Sequence, residues 1–226
     1  MKLYIANKNY SSWSMRPGVM LKQACIAHEE VMVRFDGFDA QSQFKQTLKD
    51  INPVGKVPVL VDGDIVVWDT LAIAEYVAEK FPEKKLWPTA VADRARARSI
   101  CAEMHSGFMG IRSACPMNID AYLPEIGALA MRDKEALRQD LKRIDSLFSS
   151  LLKQHKGPML FGEFTIPDAY FAPVVMRIKT YALPVSAETQ AYMDRLCAMP
   201  GVKAWIDAAL AEKDFIAIEE PFRTKP

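Results

Sequence analysis

The stretch that decides the fold is residues 52–70, NPVGKVPVLVDGDIVVWDT. It contains two runs rich in β-branched residues, 57–61 and 65–68, on either side of an Asp-Gly turn. Two such runs around Asp-Gly predict a β-hairpin. The apolar residues that follow recur at helical spacing, so a helix is predicted over 70–80, directly after the hairpin.

The residues before this hairpin alternate between strand-like and helix-like patterns. Short apolar runs predict strands over 3–6 and 31–35, and the remaining pattern predicts helices over 15–27 and 43–50. With the hairpin and the helix after it, the predicted order of elements is βαβαββα. This order describes a small α/β domain in which a parallel pair of strands is joined to a hairpin.

Two prolines and a charge cluster interrupt this pattern from residue 81 onward. Such a segment is typical of an interdomain linker. We therefore predict an α/β domain over 1–81, a linker over 82–89 and a second domain over 90–226. The second domain shows almost no strand character and is predicted to be an all-α helical bundle. Its predicted helices cover 91–112, 133–154, 166–180, 187–198 and 201–211.

The composition argues against several classes of function. The 226 residues carry a formal net charge of +1, so there is no basic surplus for binding nucleic acid. No apolar run approaches the roughly 20 residues needed to span a bilayer, and the first residues lack a signal-peptide core. The four cysteines and three histidines show no metal-site spacing. We expect a cytoplasmic protein with reduced thiols, no metal and no membrane contact.

A first candidate for a binding site is Ser11-Ser12-Trp13-Ser14, where a strand ends and a helix begins. Serine is a favoured helix N-cap, so the motif has a purely structural interpretation. The same geometry also suits an anion, because a helix N-terminus and a serine hydroxyl both stabilise negative charge nearby.

Two further motifs have the same double interpretation. Pro58 is either an edge residue or part of a cis peptide bond, in which case Val57 offers its backbone groups to an extended peptide. Asp69 and Thr70 stand at the start of the helix after the hairpin. They either cap that helix, or the helix N-terminus receives a ligand carboxylate while Asp69 pairs with a ligand ammonium group.

In this order, the motifs resemble those of cytosolic glutathione transferases of the serine type over essentially the whole chain. The opening Ser-Ser-x-Ser-x-Arg, residues 11–16, is similar to that of the zeta class, which includes maleylacetoacetate isomerases. In the second half, Thr165 and Asp168 resemble the capping box of the family's buried helix. The resemblance implies a thioredoxin-like first domain, an all-helical second domain and a homodimer.

By this resemblance the first domain binds glutathione as a co-substrate, without a separate cofactor. Asp69 and Thr70 would hold the γ-glutamyl end of glutathione. Val57, which precedes Pro58, would pair with the cysteinyl backbone. The candidates for the glycine end are Gln43 and Lys56.

The sulfur of glutathione would lie beside the hydroxyl groups of Ser11 and Ser12. A free thiol has a pKa of about 8.5, so a hydrogen-bond donor and a helix N-terminus would raise its ionised fraction at neutral pH. The zeta-like register favours Ser11 as this catalytic donor, and Ser12 is the alternative. Ser14 is expected to be structural. Arg16 is expected either to form an ion pair or to touch a ligand.

A small electrophilic second substrate would lie against the second domain. Helical spacing places Met104, Phe108, Met109 and Arg112 on one face of the helix predicted over 91–112, although such a face also suits core packing. The expected wall of this second-substrate pocket consists of Trp13, Met104, Phe108 and Arg112.

Three more residues of the second domain could meet a ligand. Arg112 is a candidate for contact with an anionic substrate or with a dimer partner, and Arg177 is a second candidate for an anion contact. His105 is expected to be a satisfied core histidine rather than a ligand contact.

Other functions are compatible with part of this evidence. A glutathione-dependent cis-trans isomerase of the maleylacetoacetate type would use the same first domain. A non-enzymatic, regulatory transferase-like module would have lost the glutathione site. The intact serine, Val-Pro and Asp-Thr motifs argue against such a loss. A thiol-disulfide oxidoreductase needs a nucleophilic cysteine in the first loop, and residues 11–14 contain none.

Overall fold

The computed structural model of the protein describes residues 1–37 and 39–225. Within these residues the strands are β1 (Lys2–Ile5), β2 (Glu29–Met32), β3 (Val59–Asp62) and β4 (Ile65–Trp68). They form one mixed sheet in the order β2-β1-β3-β4. Strand β1 pairs in parallel with β2 and antiparallel with β3, and β3 and β4 form the predicted hairpin.

Three helices accompany these strands, namely α1 (Ser12–Gln23), α2 (Gln43–Leu48) and α3 (Thr70–Lys80). The predicted order βαβαββα and the thioredoxin-like fold are thereby confirmed for this α/β part, residues 1–80. The side chains of Ser11, Ser42 and Asp69 each accept a hydrogen bond from a backbone N–H in the first turn of their helix. Such caps explain why each helix begins where it does.

The second part of the chain, residues 91–212, is helical throughout its regular elements, as predicted. Residues 82–89 before it contain a 3₁₀ turn at Pro82–Lys84 and bury Leu86 and Trp87 in the core. The helices are α4 (Val91–Ser106), α5 (Met109–Ala114), α6 (Pro124–Asp133), α7 (Glu135–His155), α8 (Ile166–Thr180), α9 (Ala187–Ala198) and α10 (Pro200–Glu212).

The prediction of one helix over 91–112 is wrong. Helix α4 stops at Gly107, whose backbone is extended, and Phe108 adopts a left-handed conformation with φ of +55° before α5 begins. A Cβ atom at Gly107 would lie 2.7 Å from the carbonyl oxygen of Glu103, so glycine allows the chain to turn sharply here. Helix α6 was not predicted from the sequence.

Helix α1 joins the two parts of the molecule, because it packs against both α8 and α10. Gly18 in α1 lies directly against the ring of Trp205 in α10, and a Cβ atom at Gly18 would come within 2.2 Å of that ring. A single apolar core therefore runs from Leu3 in β1 to Trp205. This packing holds α1 against the helical part of the molecule. The domain boundaries at 81 and 90 stay a prediction.

Candidate functional site

A cleft of about 490 Å³ opens between the α/β part and the helical part. Its wall comes from the first turn of α1, the segment before β3, the region of α5, and the segment that follows α10. The side chains in this wall include Ser11, Ser12, Trp13, Lys56, Val57, Met109, Arg112, Arg177 and Glu219.

The start of α1 is held by a chain of hydroxyl groups. The backbone N–H of Ser14 donates to Ser11 Oγ at 3.3 Å, and Ser11 Oγ donates to Ser14 Oγ at 2.8 Å. Ser14 is completely buried and its hydroxyl accepts a hydrogen bond from the backbone N–H of Ala6 at 3.1 Å. Ser14 thus ties α1 to the end of β1, whereas Ser11 and Ser12 are half-buried and face the cleft.

Ser12 lies beside a buried cation. Arg177 Nη2 donates to Ser12 Oγ at 3.3 Å, and Arg177 Nη1 donates to the carbonyl oxygen of Cys115 at 2.5 Å. Burial and the nearby guanidinium of Arg112 lower the pKa of Arg177 to about 10. Among the described residues, neither arginine forms an ion pair, although Glu219 also lines the cleft. This side of the cleft is therefore a positive wall.

The segment before β3 forms the opposite wall. Val57 and Lys56 line the cleft, and the peptide bond between Val57 and Pro58 is cis. Lys45 also lines the cleft and donates through Nζ to the carbonyl oxygen of Gly55 at 2.8 Å. The structure thus brings the main chain at Val57 to the same cleft as the serines of α1.

Asp69 and Thr70 lie at the N-terminus of α3, outside the wall of the cleft. Asp69 has φ of +72°, and its Oδ1 accepts a hydrogen bond from the N–H of Leu71 at 2.8 Å. Thr70 is buried, and its hydroxyl accepts from the hydroxyl of Tyr170 at 2.7 Å and from Arg16 Nη1 at 3.5 Å. The Thr70 side chain is therefore held by α8, whereas the Asp69 carboxylate remains accessible.

Two family models match this chain. The N-terminal domain of glutathione S-transferases matches residues 10–80, and the C-terminal domain of the same family matches residues 127–208. Glutathione S-transferase 1 of Dianthus caryophyllus is 32% identical over 178 residues, which cover 78% of this chain and 76% of that protein. The chain belongs to the glutathione S-transferase family. The predicted family, fold class and type of enzyme are thereby confirmed.

Another relative and a solved structure fit this assignment. A probable maleylacetoacetate isomerase of Caenorhabditis elegans is 28% identical to this glutathione S-transferase over 185 residues, 81% of each chain. The crystal structure of a glutathione transferase homologue from Burkholderia gl BGR1, with bound glutathione, superposes with a TM-score of 0.70 at 23% identity. It covers 92% of this chain and 97% of its own, so the whole two-part fold is shared.

In this glutathione S-transferase, Trp13 lines the cleft and contacts two arginines and a histidine. The guanidinium groups of Arg16 and Arg112 lie 4.2 Å and 5.0 Å from the centre of a Trp13 ring. His105 meets the same side chain edge-on, with ring centres 5.0 Å apart. His105 Nε2 in turn lies 3.2 Å from Asp69 Oδ2. His105 therefore lies beside Asp69, a candidate residue for binding glutathione. The prediction of a satisfied core histidine is wrong.

The break between α4 and α5 separates the residues expected on one helical face. Met104 and Phe108 are buried in the core and do not line the cleft. Met109 is exposed and lines the cleft, and Arg112 lines it as well.

Arg16 of α1 is buried and forms no ion pair among the described residues. Its guanidinium instead lies 4.2 Å from the centre of a Trp13 ring and 4.8 Å from that of Tyr170.

Gln43 lies away from the wall of the cleft. Its side chain is exposed, and its Nε2 donates to Thr47 Oγ1 at 3.4 Å. Lys45, two residues later, lines the cleft instead and was missed in the sequence. Nothing in the sequence distinguishes Lys45 from other surface lysines, because only its contact with the loop at Gly55 brings it to the site.

Tyr10 is a second residue of the cleft that the sequence analysis missed. Its hydroxyl donates to Glu220 Oε1 at 2.7 Å and lies 3.0 Å from the carbonyl oxygen of Asp214. Burial and the Glu220 carboxylate raise the pKa of Tyr10 to about 12. These bonds hold the segment after α10 against α1, which places Glu219 in the wall of the cleft. No local pattern predicts a contact across 210 positions.

No helix in the parts of the chain that the structure describes is both long and apolar enough to cross a membrane. Those same parts contain no group of three or more His, Cys, Asp and Glu side chains arranged to hold a metal ion.

Proposed function

We propose that this protein binds glutathione across the cleft and ionises its thiol for attack on a small electrophile. The observation that carries this proposal is the arrangement at the start of α1. The hydroxyl groups of Ser11 and Ser12 face a cleft that the main chain at Val57 borders on one side and two arginines border on the other. A peptide bound along Val57 would bring its central side chain to these hydroxyls.

Each part of glutathione has a proposed partner in the chain. The γ-glutamyl ammonium pairs with the accessible carboxylate of Asp69, and its carboxylate meets the N-terminus of α3 at Thr70. The cysteinyl backbone pairs with the N–H and C=O of Val57. Lys56 and Lys45 line the cleft and supply positive charge for the glycine carboxylate, a role for which exposed Gln43 is less well placed.

The chemistry requires a thiolate. A thiol with a pKa of about 8.5 is mostly protonated at neutral pH. The donor to the sulfur is either Ser12, whose Oγ accepts from Arg177 Nη2 and keeps its own proton, or Ser11, whose proton must turn from Ser14 Oγ to the ligand. The dipole of α1 adds to the stabilisation of the anion. The proton leaves for solvent, the sulfur electron pair forms a C–S bond with the electrophile, and the leaving group departs with its bonding electrons.

Arg112 and Arg177 favour an anionic second substrate. Both line the cleft without a carboxylate partner among the described residues, and buried positive charge is stabilised by a ligand carboxylate. Trp13 and Met109 supply apolar surface beside them.

A second candidate reaction is isomerisation, which the probable maleylacetoacetate isomerase of C. elegans favours. In that reaction the thiolate adds to a double bond, the new single bond rotates, and elimination regenerates both the double bond and glutathione.

The protein is further proposed to be a cytoplasmic homodimer. Strand β4 forms an edge of the sheet and leaves Ile65, Val66 and Trp68 exposed. A second copy of the chain would cover such a surface, and two-fold dimers are the commonest soluble oligomers. Sedimentation at micromolar concentration tests this: a monomer mass would contradict the dimer without affecting the proposed glutathione site.

The thiolate itself gives the test of the proposed function. Retention on immobilised glutathione is expected first. Ultraviolet titration of bound glutathione should then show that Ser11→Ala or Ser12→Ala raises the pKa of the bound thiol by about one to two units, because a hydrogen bond to a charged group contributes about 1.5–3 kcal/mol. Turnover of an aromatic chloride by that variant should fall at pH 6.5 and recover partly at pH 9.

Tyr10→Phe is the matched control, because the Tyr10 hydroxyl faces the same cleft but is engaged by Glu220. This variant should leave the titration of the thiol unchanged. If neither serine variant moves the titration, activation by serine is wrong. If the protein binds no glutathione, the proposed function itself fails. Product analysis with a cis-olefinic diketo acid separates isomerisation from conjugation.

A further inference from the structure

We infer that His105 is a positioning residue for the Asp69 carboxylate, which it orients toward the ammonium group of the γ-glutamyl moiety. This inference rests on the proposed binding of glutathione at Asp69. Two features of Asp69 are unusual. Its side chain is 44% exposed, and its backbone adopts φ of +72°, a conformation that is uncommon outside glycine.

Both oxygens of the Asp69 carboxylate have a partner within the chain. Oδ1 accepts a hydrogen bond from the N–H of Leu71 at 2.8 Å, and Oδ2 lies 3.2 Å from His105 Nε2. A single cap bond leaves a carboxylate free to rotate about its Cβ–Cγ bond. The second contact, from a different helix, fixes the plane of the group. A fixed carboxylate costs less ordering entropy when a ligand binds.

The ring of His105 is itself held in place. It packs edge-on against Trp13 with ring centres 5.0 Å apart, and Arg112 Nη1 donates to the His105 carbonyl oxygen at 3.3 Å. His105 Nδ1 is inaccessible to solvent and has no hydrogen-bond partner among the described residues. A proton on Nδ1 would therefore be buried without an acceptor, so the neutral ring carries its proton on Nε2, the nitrogen that lies 3.2 Å from Asp69 Oδ2.

Burial, together with two nearby arginines, favours this neutral form of His105. Asp69 faces it from the start of α3, Arg16 from α1 and Arg112 from α5. Burial lowers the pKa of His105, Asp69 opposes this effect, and both arginines add to it. A neutral donor orients the carboxylate without neutralising it, so the full negative charge of Asp69 remains for the ligand ammonium. A protonated His105 would compete with that ammonium.

Calorimetry with S-methylglutathione tests this role, because the sulfur of that ligand cannot ionise and so adds no pH dependence of its own. At pH 7, His105→Phe keeps an aromatic ring against Trp13 but removes the donor, and it should weaken binding roughly tenfold, equivalent to about 1.4 kcal/mol. His105→Gln retains a donor and should recover part of the loss. In an Asp69→Ala background, His105→Phe should change the affinity by less than about twofold, since coupled residues are not additive.

The pH profile gives a readout that loss of packing alone would not produce. Wild-type affinity should fall as pH decreases from 7 to 5, as His105 becomes protonated, and the profile of His105→Phe should be flat. His155→Phe is the matched control. His155 Nε2 lies 3.7 Å from Asp93, and its ring centre is 5.0 Å from that of Phe161, but it is absent from the wall of the cleft. This variant should bind the ligand as wild type does.

Two results would overturn the inference and leave the proposed function intact. In the first, His105→Phe binds S-methylglutathione as tightly as wild type although Asp69→Ala binds it more weakly. In the second, the affinity of wild type and that of His105→Phe depend on pH in the same way. A folded wild-type protein that binds no S-methylglutathione at any pH would instead refute the glutathione site itself.

Discussion

Helices α1 and α8 both begin beside a hydroxyl side chain, Ser11 in α1 and Thr165 in α8. At α8, Thr165 is buried, as is Asp168 three residues later. At α1, Ser11 is half-buried and borders the cleft. The same sequence signal, a hydroxyl residue at a helix start, therefore has two different outcomes. Where the helix start is buried, the hydroxyl stabilises the fold, and where the helix start borders a cleft, the hydroxyl is available to a ligand.

The hydrogen bonds at the two helix starts differ in the same way. The Asp168 carboxylate accepts four hydrogen bonds, at 2.9–3.2 Å, from the N–H and hydroxyl of Thr165, the N–H of Leu160 and the hydroxyl of Tyr192. Burial nevertheless raises the pKa of Asp168 from its usual 3.8 to about 6, against the effect of these bonds. At α1, by contrast, the hydroxyl of Ser12 has one side-chain partner among the described residues, Arg177.

The largest expected effect is on stability at the start of α8. Asp168→Ala would leave the N–H groups of Leu160 and Thr165 and the hydroxyl of Tyr192 buried without an acceptor. We expect the free energy of unfolding to fall by about 3–5 kcal/mol, measured by urea denaturation. Asp194→Ala is the control, because Asp194 is an exposed carboxylate on α9 and should cost less than about 0.5 kcal/mol. Equal losses for the two variants would mean that the α8 network is not a structural centre.

A smaller effect concerns pH. The folded chain binds the Asp168 proton more tightly than the unfolded chain, because its pKa is raised to about 6. Its contribution to stability is therefore present below about pH 4 and is lost as pH rises through 6. The unfolding free energy of wild type minus that of Asp168→Asn should decrease by roughly 2–3 kcal/mol between pH 4 and pH 7. A difference that stays constant over this range would show that Asp168 does not titrate in this way.

The smallest effect separates the two serines of α1. Ser11→Ala removes the N-cap and should lower the free energy of unfolding by about 1 kcal/mol. Ser12→Ala removes no cap, and water in the cleft can replace its contact with Arg177, so its loss should stay within about 0.5 kcal/mol. Thermal or urea denaturation of both variants measures the difference. If Ser12→Ala were the more damaging variant, the start of α1 would depend on Arg177 rather than on capping.

Local sequence patterns predicted the α/β part well because its elements depend on near neighbours. The Asp-Gly turn and its flanking β-branched runs specify the hairpin, and Ser11 and Asp69 mark two helix starts through contacts within three residues. The helical part was predicted less completely. Its pattern of apolar residues continued through Gly107 and Phe108, where the chain in fact turns. The turn requires glycine at position 107, because a Cβ atom there would lie too close to the carbonyl oxygen of Glu103 in the preceding helical turn.

The sequence by itself determined the family, the order of elements and the motifs that border the cleft, because these depend on residues close together in the chain. Only the tertiary structure decided which side chains share the cleft. Tyr10, Lys45 and Arg177 reach it through contacts with Glu220, Gly55 and Ser12, and His105 reaches Asp69 from another helix. Such contacts form when the packing of α1 against α8 and α10 brings distant segments together, and no periodicity along the chain encodes that distance.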